Sequence, residues 1–219
     1  MMRSTPIKRI IDPMTRTTYY KDMLTTREFK RIVGGLAWPY GNSKGHAVVL
    51  GEIRRKDPEQ HCHHVFILGE TRAEDFQELL SRVAMLQDRT FCKEWITPMD
   101  NNNVLLVDDF NEEQRYMLRK APVELNSPPQ YDRSEKKDIF RFYNQLVAKR
   151  ASSRKTLNFG ESDVAKHYSS LEKTDLKRHL EEFPVVASFL YALAELDLNN
   201  DNYRQFNMTS NAADSVAGY

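Results

Sequence analysis

GGLAWPYGNSKGHAVVLGEI, residues 34–53, reads as the end of one strand, a glycine-containing turn and a second strand. The four consecutive apolar residues Ala47, Val48, Val49 and Leu50 leave no polar face, which is the pattern of a strand buried on both sides. Upstream, DPMTRTTYY reads as a turn between two short extended pieces, and TTREFKR then runs into the first strand. Downstream, DPEQ (57–60) is a hairpin turn and HCHHVFILGE supplies a third strand, so three strands follow one another with hairpin-length connections.

Outward from this hairpin the periodicity changes. In TRAEDFQELLSRVAMLQD, residues Ala73, Phe76, Leu79, Leu80, Val83 and Ala84 recur at helical spacing, with Thr71 as the expected N-cap ahead of Glu74. FCKEWITP reads as a fourth strand and NNNVLLVDDF as a loop leading to a fifth extended segment. The prolines of NSPPQYDR mark a linker. EKKDIFRFYNQLVAKR is expected to be an amphipathic helix, Thr156 to Phe159 a short extended piece, and ESDVAKHYSSLEK and DLKRHLEEF weaker helices. FPVVASFLYALAELDL (183–198) is the last strong helix, with Pro184 suited to its first turn. A fourth strand placed after the first helix can pair parallel to strand one by a right-handed crossover. The expected architecture is therefore an α/β mixed sheet flanked by helices.

The 219 residues suffice for one principal domain, and 40% hydrophobic with 29% charged residues describe a globular chain without a membrane-length apolar run. MMRSTPIKRIIDP lacks the apolar centre of a secretory signal. Two cysteines, Cys62 and Cys92, are too few for a disulfide framework and read as buried thiols. The net charge of +1 conceals an uneven distribution: residues 1–31 carry eight Lys and Arg against three acids. Such an arm suits nucleic acid or an acidic partner surface, and a solvated leader accounts for it equally. Residues 1–30 are thus expected as a basic arm, 31–198 as the domain, and 199–219 as a polar tail with little to bury.

The order of these motifs resembles the nuclease domain of phage terminase large subunits, which has the ribonuclease H-like fold. Residues 31–52 resemble its opening hairpin, 92–103 the strand and Asn-rich turn that carry its middle carboxylate, and 183–196 its closing helix, with a Tyr-Ala pair at Tyr191 and Ala192. The resemblance implies a site in which two or three carboxylates hold a pair of divalent ions, Mg²⁺ or Mn²⁺, about 3.5–4 Å apart. It places the first carboxylate at Ala37 and the closing-helix carboxylate at Ala187, neither of which can coordinate a metal. No acid lies between Ile32 and Gly51, so a shifted register does not restore the first ligand. The middle position falls on Asp100, the preferred metal and catalytic candidate, or on Glu94. Glu52, Glu70, Asp108 and Asp109 are the acids that relocated chemistry would draw on, and each reads equally as a solvated strand-end or loop acid. The implied function is a terminase nuclease-like protein in viral DNA packaging, in host cytoplasm or phage particle, that binds DNA or a partner with little or no cleavage. A non-catalytic assembly protein and an endonuclease with relocated carboxylates are the alternatives.

Other residues point to binding. Lys44 and His46, in and after the turn PYGNSKG, are placed to meet a phosphate, and so are Arg54, Arg55 and Lys56 at the end of strand two. Lys149, Arg150, Arg154 and Lys155 surround a later polar loop. A solvated charged rim is the competing reading for all of them. HCHH (61–64) does not make a zinc site by itself, because strand alternation lets at most two of its side chains converge. Trp38 is placed either over the emptied site or in the core. The chain has no phosphate-binding P-loop pattern, so a packaging ATPase is expected as a separate partner alongside double-stranded DNA.

Overall fold

A computed structural model describes residues 3–54, 64–118, 121–128, 156–158, 161–170 and 180–198. Its centre is the antiparallel ladder β4 (Glu28–Ala37), β5 (Gly45–Ile53) and β6 (His64–Ala73), in which Ala37 pairs with His46 and His46 with Arg72. Helix α1 (Phe76–Thr90) follows β6, and the short strand β7 (Glu94–Ile96) then returns beside β4 in parallel, pairing Gly34 with Trp95 and Gly35 with Ile96. Helix α2 (Asn101–Leu118) leads to β8 (Glu124–Asn126), parallel to β7. The mixed sheet and the parallel first-to-fourth pairing expected from the sequence are both present.

Two adjacent glycines let both layers close on the central strand. A β-carbon at Gly34 would lie 2.4 Å from the Trp95 ring, and one at Gly35 would lie 1.8 Å from the carbonyl oxygen of Ser188 in the last helix, α4 (Pro184–Leu198). One face of β4 therefore accepts an indole and the other a helix backbone, which no larger residue permits. On the α4 side the core gathers Val33, Ala37, Val48, Leu50, Phe189 and Leu193; on the α1 side it gathers Leu36, Ala47, Val49, Leu79, Val83 and Trp95. Residues 47–50 are completely buried, as the uninterrupted apolar run requires. Helix α4 is buried around nearly its whole circumference, and each Val, Leu or Phe it sequesters contributes about 1.5–3 kcal/mol.

Residues of the basic leader form β1 (Arg3–Ser4), β2 (Ile7–Ile11) and β3 (Thr18–Asp22) in the same sheet: β1 pairs with β6, and β2 and β3, the extended pieces expected around the turn in DPMTRTTYY, form a hairpin that pairs with the start of β4. Other expectations are corrected. NNNVLLVDDF is helix, not loop and strand, because Asp100 caps it and Val107 and Phe110, three apart, are the residues it buries. The α1 cap is Asp75, whose Oδ1 accepts from the Glu78 N–H at 2.7 Å, while Thr71 stays in β6 opposite Ala47. Strand β9 (Thr156–Asn158) joins β6 in parallel, α3 (Asp163–Ser170) forms as expected, and Leu180–Glu182 is a single 3₁₀ turn before α4. The DPEQ turn, residues 61–63, the helix expected over 135–150 and the tail from 199 lie outside the described residues. Among the described residues no helix is long and apolar enough to cross a membrane.

Candidate functional site

At the carboxyl end of β4 the chain leaves the sheet through Trp38, Pro39 and Tyr40, while β7 ends beside it at Thr97 and Pro98. Parallel neighbours that diverge in this way leave a crevice where open α/β sheets bind ligands. Here it is a cavity of about 470 Å³ that also takes in Asp100, Asn103, Glu181, Ala187 and Tyr191. The two alanines that replace the expected carboxylates, on β4 and α4, and Asp100 therefore meet in one cavity, brought together by the close approach of α4 to Gly35.

The other acids are elsewhere. Glu94 is exposed at the first residue of β7, the end remote from the cavity. Glu52 pairs with Arg31 six residues along β5 from His46, roughly 20 Å at strand rise, and meets Lys30 Nζ at 3.0 Å. Asp108 and Asp109 are exposed on α2. Glu70 is buried, and its carboxylate accepts the Asp163 N–H at the start of α3 at 2.9 and 3.0 Å. Asp100 itself accepts the Asn102 N–H at 2.9 Å and so caps α2. Among the described residues no three His, Cys, Asp or Glu side chains converge as metal ligands. Methyl groups at positions 37 and 187 offer a hard cation no ligand, and the acids in the described lining of the cavity are Asp100 and Glu181.

Beside it lies a polar cluster that sequence reasoning missed. His46, the cross-strand neighbour of Ala37, is fully buried, with Nδ1 2.6 Å from Ser188 Oγ and Nε2 3.7 Å from Glu70 Oε2. Burial, the largest influence, lowers its pKa against the raising effect of Glu70, so the ring is neutral. The Ser188 hydroxyl also donates to the Val185 carbonyl oxygen at 3.2 Å, and the tautomer of His46 sets which partner donates in the Nδ1–Oγ bond. Although the order Ser-His-Glu is that of a hydrolase, Ser188 is fully buried and does not line the cavity, so no substrate reaches its oxygen. The cluster clamps α4 and α3 to the sheet. Its sequence signal was a polar residue at position 46 flanked by residues that must be buried.

This placement corrects the phosphate-contact expectation for His46, whose ring faces the interior. Lys44 bonds Glu74 at 2.5 Å. Arg54 bonds Asp12 at 2.8 Å, holding that carboxyl below its usual range, and lies 4.2 Å over the Tyr19 ring. Arg55, Lys56, Lys149, Arg150, Arg154 and Lys155 lie outside the described residues. Trp38, open to either reading in the sequence, both lines the cavity and stacks on Phe76 with ring centroids 4.5 Å apart.

The sheet order, with β6, β5, β4, β7 and β8 side by side and the first three antiparallel, decides the architecture. The fold is ribonuclease H-like. Among solved structures the chain is similar to the nuclease domain of the g2p large terminase of bacteriophage SPP1 with bound Mn, at 12% identity and a TM-score of 0.46, covering 76% of this chain and 87% of that one. No family model and no curated protein matches the sequence. The fold assignment rests on the strand order.

Proposed function

We propose that this protein is a nuclease-scaffold module of viral DNA packaging that acts by binding rather than by cutting. The packaging role rests on the order of terminase-like motifs in the sequence. The binding role rests on one observation: Ala37 and Ala187 line the same cavity as Asp100, so two of the three positions at which the resembling nucleases are expected to carry carboxylates hold methyl groups. Asp100, the one acid left of that set, can hold a hydrated Mg²⁺ weakly but cannot by itself position a metal pair about a scissile phosphate. The module would work in the host cytoplasm or on the phage particle, beside a separate packaging ATPase and its DNA.

Incubation of supercoiled plasmid with the purified chain in Mg²⁺ or Mn²⁺ tests this, with no nicking or linearisation expected. Cleavage by the wild type that Asp100→Asn abolishes would overturn the proposal and return the chain to the metal nucleases.

A further inference from the structure

Polar groups without partners mark the crevice at the ends of β4 and β7 as a place that receives a ligand. Thr97 is fully buried, lines the cavity, and its hydroxyl has no hydrogen-bond partner among the described residues. Trp38 lines the same cavity, and its buried indole N–H is unpartnered in the same way. Such groups are costly to bury unless something completes them. We infer that the cavity receives the guanine base of an unpaired nucleic acid strand. This deepens the binding reading above and rests on it.

The walls suit a planar ring. Trp38 stacks on Phe76 with ring centroids 4.5 Å apart, which holds the indole in a fixed plane, and Tyr40 stands 49% exposed at the mouth. Bases stack on aromatic side chains, and an unpaired strand can offer one base to Trp38 and the next to Tyr40. At about 470 Å³ the space accommodates a base.

The hydrogen-bonding groups select which base. Asp100 and Asn103, three apart at the start of α2, both line the cavity. The helix cap uses Oδ1 of Asp100, not Oδ2. A carboxylate only accepts, so it favours an edge made of donors. Among the bases guanine presents two adjacent donors, N1–H and the N2 amino group, which a carboxylate takes as charge-assisted bonds. Adenine and cytosine set an unprotonated ring nitrogen beside their amino group, and thymine flanks its single N–H with carbonyls, so each turns an acceptor toward the carboxylate. The O6 and N7 acceptors of guanine match the donors of Thr97, Asn103 and Trp38. In a duplex the N1 and N2 edge is taken up by cytosine, which restricts the ligand to an unpaired strand.

The test follows the Trp38 indole N–H resonance of the full chain, with buried Trp95 as internal reference, during titration with a short oligothymidine carrying one dG. Trp38 should shift saturably. The same strand with deoxyinosine in place of dG lacks the N2 donor and should bind about tenfold more weakly, the usual loss for one charge-assisted bond. Asp100→Asn, which retains the α2 cap, should weaken dG binding by about as much. Thr97→Val should weaken dG binding while leaving the free protein at least as stable as wild type, because the hydroxyl has no partner to lose. GMP lacks the neighbouring base and should bind more weakly than the strand. No movement of Trp38 with the dG strand would overturn the inference. So would equal movement with the deoxyinosine strand, the all-thymidine strand or the dG strand annealed to its complement, or a Thr97→Val variant that loses stability and keeps its affinity. GMP binding as tight as that of the strand would overturn the strand as the source of the base. Plasmid cleavage reports separately on the non-cleaving reading, so the two can fail independently.

Discussion

His46 Nδ1 lies 2.6 Å from Ser188 Oγ, joining the cross-strand neighbour of Ala37 to the chain neighbour of Ala187 by one buried hydrogen bond. The Arg31–Glu195 ion pair ties the same helix to β4.

The buried hydrogen bond makes stability depend on pH. Burial keeps the His46 pKa below its ordinary value of 6.5, and burial lowers His167 in the same direction. Below about pH 6.5 the unfolded chain therefore binds more protons than the folded one. The contribution of the neutral ring is complete above that pH and is lost as pH falls toward the folded value. Urea unfolding should show the midpoint falling between about pH 7.5 and 5.5. His46→Gln should cost about 1–3 kcal/mol at neutral pH and flatten part of that dependence; an unchanged slope would remove His46 as its source.

Gly35→Ala should be among the most damaging single changes. Its β-carbon would meet the Ser188 carbonyl at 1.8 Å, backbone against backbone, so α4 must move off the sheet. A loss of at least about 3 kcal/mol is expected in thermal or urea unfolding. Gly41→Ala is the control: nothing surrounds its β-carbon, and only the left-handed φ of +56° opposes it, at about 1–2 kcal/mol.

Asp100 should divide along its two roles. Asp100→Ala removes the α2 cap and should cost about 1 kcal/mol, whereas Asp100→Asn should leave stability within a few tenths of wild type. Equal losses in both variants, measured by urea unfolding, would mean that charge rather than capping holds the helix.

Restoring the expected carboxylates should first weaken the protein. Ala37 and Ala187 are 6% and 0% exposed, so Ala37→Asp with Ala187→Asp brings two like charges into a confined space beside Asp100. The double variant should melt below wild type in chelator and regain stability with Mn²⁺, which wild type should not do. Cleavage need not return with it, since metal positioning also depends on groups around the ligands. A melting temperature indifferent to Mn²⁺ would mean that the three carboxylates do not converge.

Deleting residues 1–22 should destabilise the domain rather than merely remove a docking arm. It removes buried Ile7, the Asp12 partner of Arg54 and the Asp22 carboxylate that accepts the Leu24 and Thr25 N–H groups, and it uncovers the start of β4. Calorimetry should show a loss of about 3 kcal/mol or more. An unchanged melting temperature would restore the view of this segment as an arm.

The sequence by itself determined what local pattern can carry. The unbroken apolar run 47–50 identified the buried strand, helical spacing identified α1 and α4, and the stretch between Ile32 and Gly51 was seen to hold no acid. Only the tertiary structure decided the rest. Val104 to Val107 is an apolar run that periodicity could place in strand or helix, and the choice was made by the Asp100 cap and by burial of Val107 and Phe110. The turn in DPMTRTTYY announced two extended pieces in the leader, but its sparse apolar residues did not say where the leader docks, which β6 and the start of β4 decide. His46 looks like a turn residue until Ser188, 142 positions away, and Glu70 surround it. Periodicity records which face of an element is covered; it carries no information about which distant residue covers it, and on that this site depends.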